Sequence, residues 1–238
     1  KHITIFLMFL ILYLQADLQS KVSVYAIAKK NISEKAHINK KNINIDIKEL
    51  YKKFTKEKYK ISLEALQLGI NGYKYLNKLD KLDKKQIITI IDFTKPSTEK
   101  RLFLIDLKIN KVIYNTYVAH GKKSGDNYAS KFSNNQQSLM SSLGFYITGE
   151  TYFGKHGYSL FLDGIEKDIN SNARNRLIVI HGADYVSDEF IKKQGRLGRS
   201  FGCPALPIDL AKKIIDIIKN KSCRSEERRV GKECRSRW

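Results

Sequence analysis

Apolar positions change their spacing along this chain near residue 86. Before it, Leu63, Leu66, Ile70 and Tyr73 recur at three- and four-residue intervals. That spacing predicts a helix from an N-cap at Ser62 to about Lys78, preceded by a shorter helix over residues 46–56. Gly69 and Gly72 lie inside the longer helix, where they weaken it or mark a close packing contact. After Gln86 the apolar runs become short and rich in Ile, Val, Tyr, Phe and Thr: IITIIDF, RLFLIDL, VIYNTYVAH, GFYITGETYF, YSLFLDGI and RLIVIHG. The turn-like KPSTEK and KINK separate the first of them, and the set reads as strands. Eleven of the 14 glycines fall between Gly121 and Gly202, a density that fits tight turns in an antiparallel β domain. Beyond Pro207, Leu210, Ile214, Ile217 and Ile218 return to helical spacing with Asp209 near the start, predicting a closing amphipathic helix.

The two ends differ from this body. Lys1 is followed by an apolar run from Ile3 to Leu14, too short to span a bilayer and suited to the apolar region of a secretory signal. Residues 1–20 are therefore expected to be a signal peptide or membrane anchor, and residues 21–84 a Lys- and Asn-rich linker with a helical annex. At the far end, RSEERRVGKECRSRW departs sharply in composition. Five of the ten arginines lie in these last fifteen residues, with Cys234 and the only Trp. The stretch resembles a vector- or sequencing-derived ending, so residues 222–238 are set outside the fold as a non-native tail. The catalytic domain is then expected over residues 85–221.

A net charge of +20 raises the question of nucleic acid. The basic residues are mostly lysines dispersed among Ile and Asn rather than gathered in a stripe. A biased coding composition accounts for them, and no nucleic-acid partner is expected. Membrane contact is expected only through the N-terminal anchor, and no pattern points to an oligomeric state.

With the tail set aside, Cys203 is the one cysteine of the body, and a lone thiol in an exported protein has no disulfide framework. It sits in GRLGRSFGCPALP, wrapped in Gly195, Gly198, Ser200, Gly202 and Pro204. His181 ends the apolar run Leu177–Ile180. A thiol on a glycine-lined turn and an imidazole at a strand end are what nucleophilic acyl transfer needs. Ser200, Gly182 and Asp184 are all possible orienters of the base, and the N–H groups of Gly202 and Cys203 could form an oxyanion hole. His120 and His156 lack metal-ligand spacing to His181 or Cys203 and are expected to line the cleft or hold loops, His156 being the better cleft residue. Tyr146, Thr148, Tyr152 and Tyr158 offer hydroxyls that could meet a glycopeptide or pack across strands. Arg174 and Arg176 read as structural or rim charges. GKKSG lacks the spacing of a phosphate-binding loop.

HGADYVS followed by GRLGRSFGCPALP resembles the murein L,D-transpeptidase catalytic domain of the YkuD type, in the branch whose cysteine motif reads S-aromatic-G-C-P. The resemblance extends through VAHGKKSGDNYASKFSN, SSLGFYITGETYFGKHGYSLFLDG and NARNRLIVIHGADYVS, covering about residues 85–220. It implies a mostly β, β-sandwich-like catalytic domain in the bacterial cell envelope or periplasm. It implies acyl transfer on peptidoglycan stem peptides, with no cofactor and no metal. Carried over, the nucleophile is Cys203, the general base His181, the motif serine Ser200 and the motif glycine Gly202. The better-studied branch has a second histidine where this chain has Phe201. Substrate contacts are expected from Arg199, as the cation for a substrate carboxylate, and from His156, Tyr146 and Gly182.

Overall fold

The computed structural model describes residues 45–228. The expected signal segment, the linker to residue 44 and residues 229–238 lie outside the described residues. No described helix is long and apolar enough to cross a membrane.

Two helices lead in, α1 (Ile47–Lys56) and α2 (Leu63–Lys78). Asp46 caps α1 by accepting the N–H groups of Lys48 and Glu49, and Ser62 caps α2 by accepting that of Ala65. Eight strands follow: β1 (Ile87–Asp92), β2 (Leu102–Asp106), β3 (Lys111–Thr116), β4 (Gly144–Gly154), β5 (Gly157–Gly164), β6 (Val179–Gly182), β7 (Ala205–Leu206) and β8 (Cys223–Glu227). Helix α3 (Asp188–Gln194) lies between β6 and β7, and α4 (Ile208–Ile218) between β7 and β8. The strands join in one sheet of order β3-β2-β1-β8-β4-β5-β6-β7. The mostly β class holds. Pairing is antiparallel except for β1–β8 and β6–β7, which run parallel, so the sheet is mixed rather than purely antiparallel.

Every residue of β1 is buried, because both faces of the sheet are covered there. On one face lies α2. A Cβ on Gly69 would sit 2.6 Å from Ile90 Cδ1, and one on Gly72 would overlap the Phe145 ring. The two glycines are close-packing positions that let the helix backbone approach β1 and β4. The helix is also tied end-on to the sheet, since the Ser62 N–H donates to Asp92 Oδ2 (3.0 Å). On the other face, Ala211, Ile214, Ile215 and Ile218 of α4 join Ile87, Ile91, Leu160, Leu162 and Ile180 in the main core. Each such side chain contributes about 1.5–3 kcal/mol.

Two expected boundaries are corrected. Of the helices before residue 85, α2 packs on β1 and β8 as a covering layer of the sheet, and α1 packs on α2. Residues 222–228 also belong to the fold. β8 is the central strand, bonded to β1 on one side and β4 on the other. Burial of Cys223, Arg224, Ser225 and Glu226 follows from that position.

Candidate active site

The cysteine motif is held by its own side chains. The backbone of Ser200 bridges the HGK segment: its N–H donates to His120 O (3.0 Å), and its carbonyl accepts from Lys122 N (2.8 Å). The Ser200 hydroxyl donates to Cys203 O (2.6 Å) and accepts the Gly202 N–H (3.0 Å). One serine thus closes the turn around the thiol from both ends. Gly202 has φ +127, and a Cβ there would lie 2.8 Å from both Ile178 Cδ1 and Met140 O, so glycine is required on two counts. The Gly202 carbonyl accepts from Ser141 Oγ (3.2 Å), which in turn accepts from Gly121 N (3.0 Å). Arg176 fixes the loop carrying Ser141. Its guanidinium donates to Ser133 O, Ser142 Oγ, Ser138 Oγ and Met140 O.

After this turn the chain enters β7, which adds in parallel to β6 with Ala205 opposite His181. Nucleophile and base are therefore carried on neighbouring segments of one sheet edge. The Cys203 sulfur is directed at the start of β6. It accepts the Val179 N–H (3.4 Å), and its S–H donates to Leu177 O (3.5 Å). Leu177 has φ +54, which turns that carbonyl out of the strand direction. Cys203 as a residue is partly exposed while its sulfur lies deep, and burial pushes the thiol up. The Val179 N–H and the Arg224 and Arg176 guanidiniums act in the opposite direction. The resting state is a thiol.

His181 is buried on β6, opposite Ser159 of β5. Its Nδ1 lies 2.9 Å from Gly182 O. A carbonyl only accepts, so Nδ1 carries the proton and Nε2 presents a lone pair. Of the three possible orienters, the Gly182 carbonyl is the one used. Burial lowers the imidazole pKa, with the Gly182 bond opposing and His156 adding to the shift. The base is therefore neutral at neutral pH. His156, at the exposed turn between β4 and β5, stacks on His181 with ring centroids 4.5 Å apart and planes 21° apart.

This geometry coincides with a sequence-level match: the family model of the L,D-transpeptidase catalytic domain (YkuD_2) fits residues 57–224. The chain belongs to the L,D-transpeptidase catalytic domain family. Solved structures similar to it include an L,D-transpeptidase from Mycobacterium smegmatis (12% identity, 60% of this chain and 59% of that one, TM-score 0.37). They also include the helical cell shape determining protein Pgp2 from Campylobacter jejuni (14%, 64% and 54%, 0.37) and an L,D-transpeptidase (Yku) from Stackebrandtia nassauensis (16%, 71% and 67%, 0.36). The chain spans 59% of the length of the first of these and 54% of the second. No curated protein matches it.

Within this L,D-transpeptidase-family domain, Ser200, Gly202 and Cys203 share one turn, and Gly182 and His156 contact His181 on the neighbouring strand, whereas two expected substrate contacts are engaged elsewhere. Tyr146 is fully buried in the main core, with its hydroxyl donating to Ser142 O (3.0 Å). The core that α4 and the strands form covers this face of β4, so the Tyr146 ring reaches no surface. Arg199 is engaged by the 122–126 loop, its Nη1 donating to Asp126 Oδ1 (2.6 Å) and Gly125 O (3.0 Å). The expected oxyanion donor at Gly202 is likewise turned to Ser200 Oγ, while the Cys203 N–H makes no hydrogen bond among the described residues. Thr148 is buried against Ile218 O and Ser222 O, Tyr158 donates to Asp216, and Tyr152 stacks on Phe161. His120 is fully buried: Nδ1 faces Arg101 Nη2 (2.7 Å) and Nε2 faces Gly125 O (3.2 Å), so both nitrogens are taken.

Two supports were not singled out from sequence: Ser141 and Arg101 carried no motif signal. Arg176, read as a structural or rim charge, has a structural role as the clamp of the loop beneath Gly202. Phe201, in place of the second histidine, stands 65% exposed with Lys122 Nζ 4.6 Å from its ring centroid.

Proposed function

We propose that this domain is an exported cysteine acyltransferase acting on peptidoglycan stem tetrapeptides, an L,D-transpeptidase that forms 3→3 cross-links through a Cys203 thioester. The observation that carries this reading is the placement of Cys203 and His181 on adjacent segments of one sheet edge, within the span of the family match. In the proposed reaction the Cys203 proton passes to Nε2 of His181 and the sulfur attacks the carbonyl of the L-centre of the third residue. The Cys203 N–H receives the developing oxyanion; Pro204 has no N–H to add. The carbonyl–D-Ala bond breaks, and the D-Ala nitrogen takes the proton from His181. The side-chain amine of a second stem then attacks the thioester, His181 removes its proton, and the thiol is released. No metal or cofactor is required. If water takes the acyl group, the same site is an L,D-carboxypeptidase. Incubation with a disaccharide-tetrapeptide tests the choice: a cross-linked dimer with D-Ala release supports the transpeptidase, whereas D-Ala without dimer makes it a carboxypeptidase. No D-Ala release, with no adduct formed by a carbapenem, would leave a non-catalytic wall-binding module.

A further inference from the structure

We infer that His156 is a positioning residue for the base, holding the His181 ring by face-to-face stacking in the place of the motif histidine this chain lacks; this rests on the reading of His181 as the base. The turn between β4 and β5 holds two residues, Lys155 and His156, closed by the pairing of Gly154 with Gly157. Gly157 at φ +72 makes so tight a turn possible. His156 is exposed, yet its ring lies over His181, 25 positions away in sequence, with centroids 4.5 Å apart and planes 21° apart. Stacking and hydrogen bonding exclude each other between two imidazoles. The nitrogens point outward in the ring planes, so stacked rings cannot pass a proton directly to one another. His156 is therefore no relay.

Two effects on His181 remain. The Gly182 carbonyl anchors one edge of the His181 ring. A flat group against its face removes the remaining rotation, so that Nε2 keeps one direction. A protonated His156 would also repel an imidazolium at His181. Among the described residues, no other ring stacks on His181 and no other charge is a cause of its shift. β5 places Ser159 and β7 places Ala205 opposite His181. α4 covers the other face of β6, where a Cβ on Gly182 would meet Ala211 and Ile208. Lys155 is the further charge in the turn, beside His156. Phe201 occupies the motif-histidine position and cannot orient a base through hydrogen bonds.

The test compares His156→Ala with His156→Phe, both at an exposed turn where folding is not at stake. A phenyl ring keeps the stacked face and removes the ring nitrogens. Two readouts are used: the rate of Cys203 acylation by a carbapenem, and the NMR titration and tautomer of the His181 ring. His156→Ala is expected to slow acylation about tenfold and to let His181 titrate at higher pH, with Nδ1 still protonated against Gly182 O. His156→Phe is expected to restore acylation while His181 likewise titrates at higher pH. Unchanged acylation and an unchanged His181 titration in the Ala variant would overturn the inference. So would a defect confined to KM for stem peptide, which would make His156 a substrate contact. The ring titration is read without any stem peptide, so failure of the wild-type protein to turn over tetrapeptide would count against the proposed function and not against the stacking role.

Discussion

The residues around the thiol divide the work between making a nucleophile and keeping it in place. Ser200 does the second. Its hydroxyl bonds both Gly202 N–H and Cys203 O, so Ser200→Ala leaves two polar groups of the turn without partners. A loss of about 1–3 kcal/mol in stability is expected, with turnover falling more steeply than Cys203 alkylation by a small electrophile; a variant matching wild type in both would remove Ser200 from the site. Cys203→Ser is nearly isosteric and should abolish turnover with an unchanged melting transition. A second imidazole makes a prediction about stability. Burial, and then the Arg101 charge, hold His120 down to about 3 from an ordinary 6.5. The unfolded chain takes up this proton below pH 6.5 and the folded one does not, so its contribution is complete above 6.5 and is lost as pH falls toward 3. Urea unfolding at a series of pH values should show a slope that flattens by about one proton in His120→Asn. An unchanged slope would place the acid sensitivity elsewhere.

At the scale of elements, the decisive contact is between α2 and the sheet. Gly72→Ala gains about 1 kcal/mol of intrinsic helix propensity. It also drives a methyl group into the Phe145 ring, an overpacking cost of about 1–3 kcal/mol or more. The net sign is destabilising, and a lowered urea midpoint with an unchanged m-value is expected; a raised midpoint would mean that α2 does not press on β4 as described. These glycines show what was legible in the sequence. The helix over 63–78 and the closing helix followed from periodicity, and β1 to β6 from short runs rich in Ile, Val, Tyr, Phe and Thr between turn-like segments. The glycines signalled close packing, although nothing local named Phe145 or Ile90. α3, at seven residues, is too short for a period, and its Ser187 cap and terminal Gly195 are its only signals. β7, at two residues, is defined by its partner rather than by itself. The site was legible where chemistry needs a particular side chain, as at Cys203 and His181. It was illegible where a side chain acts through a distant loop, as Ser141 does. Tyr146 and Arg199 misled because a polar group near a motif looks the same in sequence whether it faces the cleft or the core.

At the scale of the molecule, the anomaly seen in composition reappears as an anomaly in burial. The Arg-rich stretch begins at Arg224, and Arg224 is the residue whose Nε and Nη1 lack partners in the core. Its remaining nitrogen pairs with Glu226, whose carboxyl burial pushes up to about 7. Arg224 and Glu226 share a face of the sheet with their register partners Thr89, Ile91 and Tyr146, a buried setting in which Ile91 and Tyr146 belong to the main core. Replacing a buried ion pair by packed apolar residues is commonly neutral or stabilising by about 1–4 kcal/mol. Arg224→Leu combined with Glu226→Val is accordingly expected to raise the urea midpoint. A clear loss of stability would make the pair a net contributor to the fold. The fold also sets where the chemistry can be. Cys203 lies just before β7 and His181 on β6, and these two strands run parallel at one end of the sheet, with His156 stacked on His181.

The central claim is that Cys203 accepts an acyl group from a stem tetrapeptide. Its most direct test is intact-protein mass spectrometry after rapid mixing with disaccharide-tetrapeptide. The account predicts a covalent adduct on Cys203 equal to the donor less D-Ala, formed with one equivalent of D-Ala released and absent from Cys203→Ser. D-Ala released at the wild-type rate by Cys203→Ser, or an acyl adduct on another residue, would contradict it.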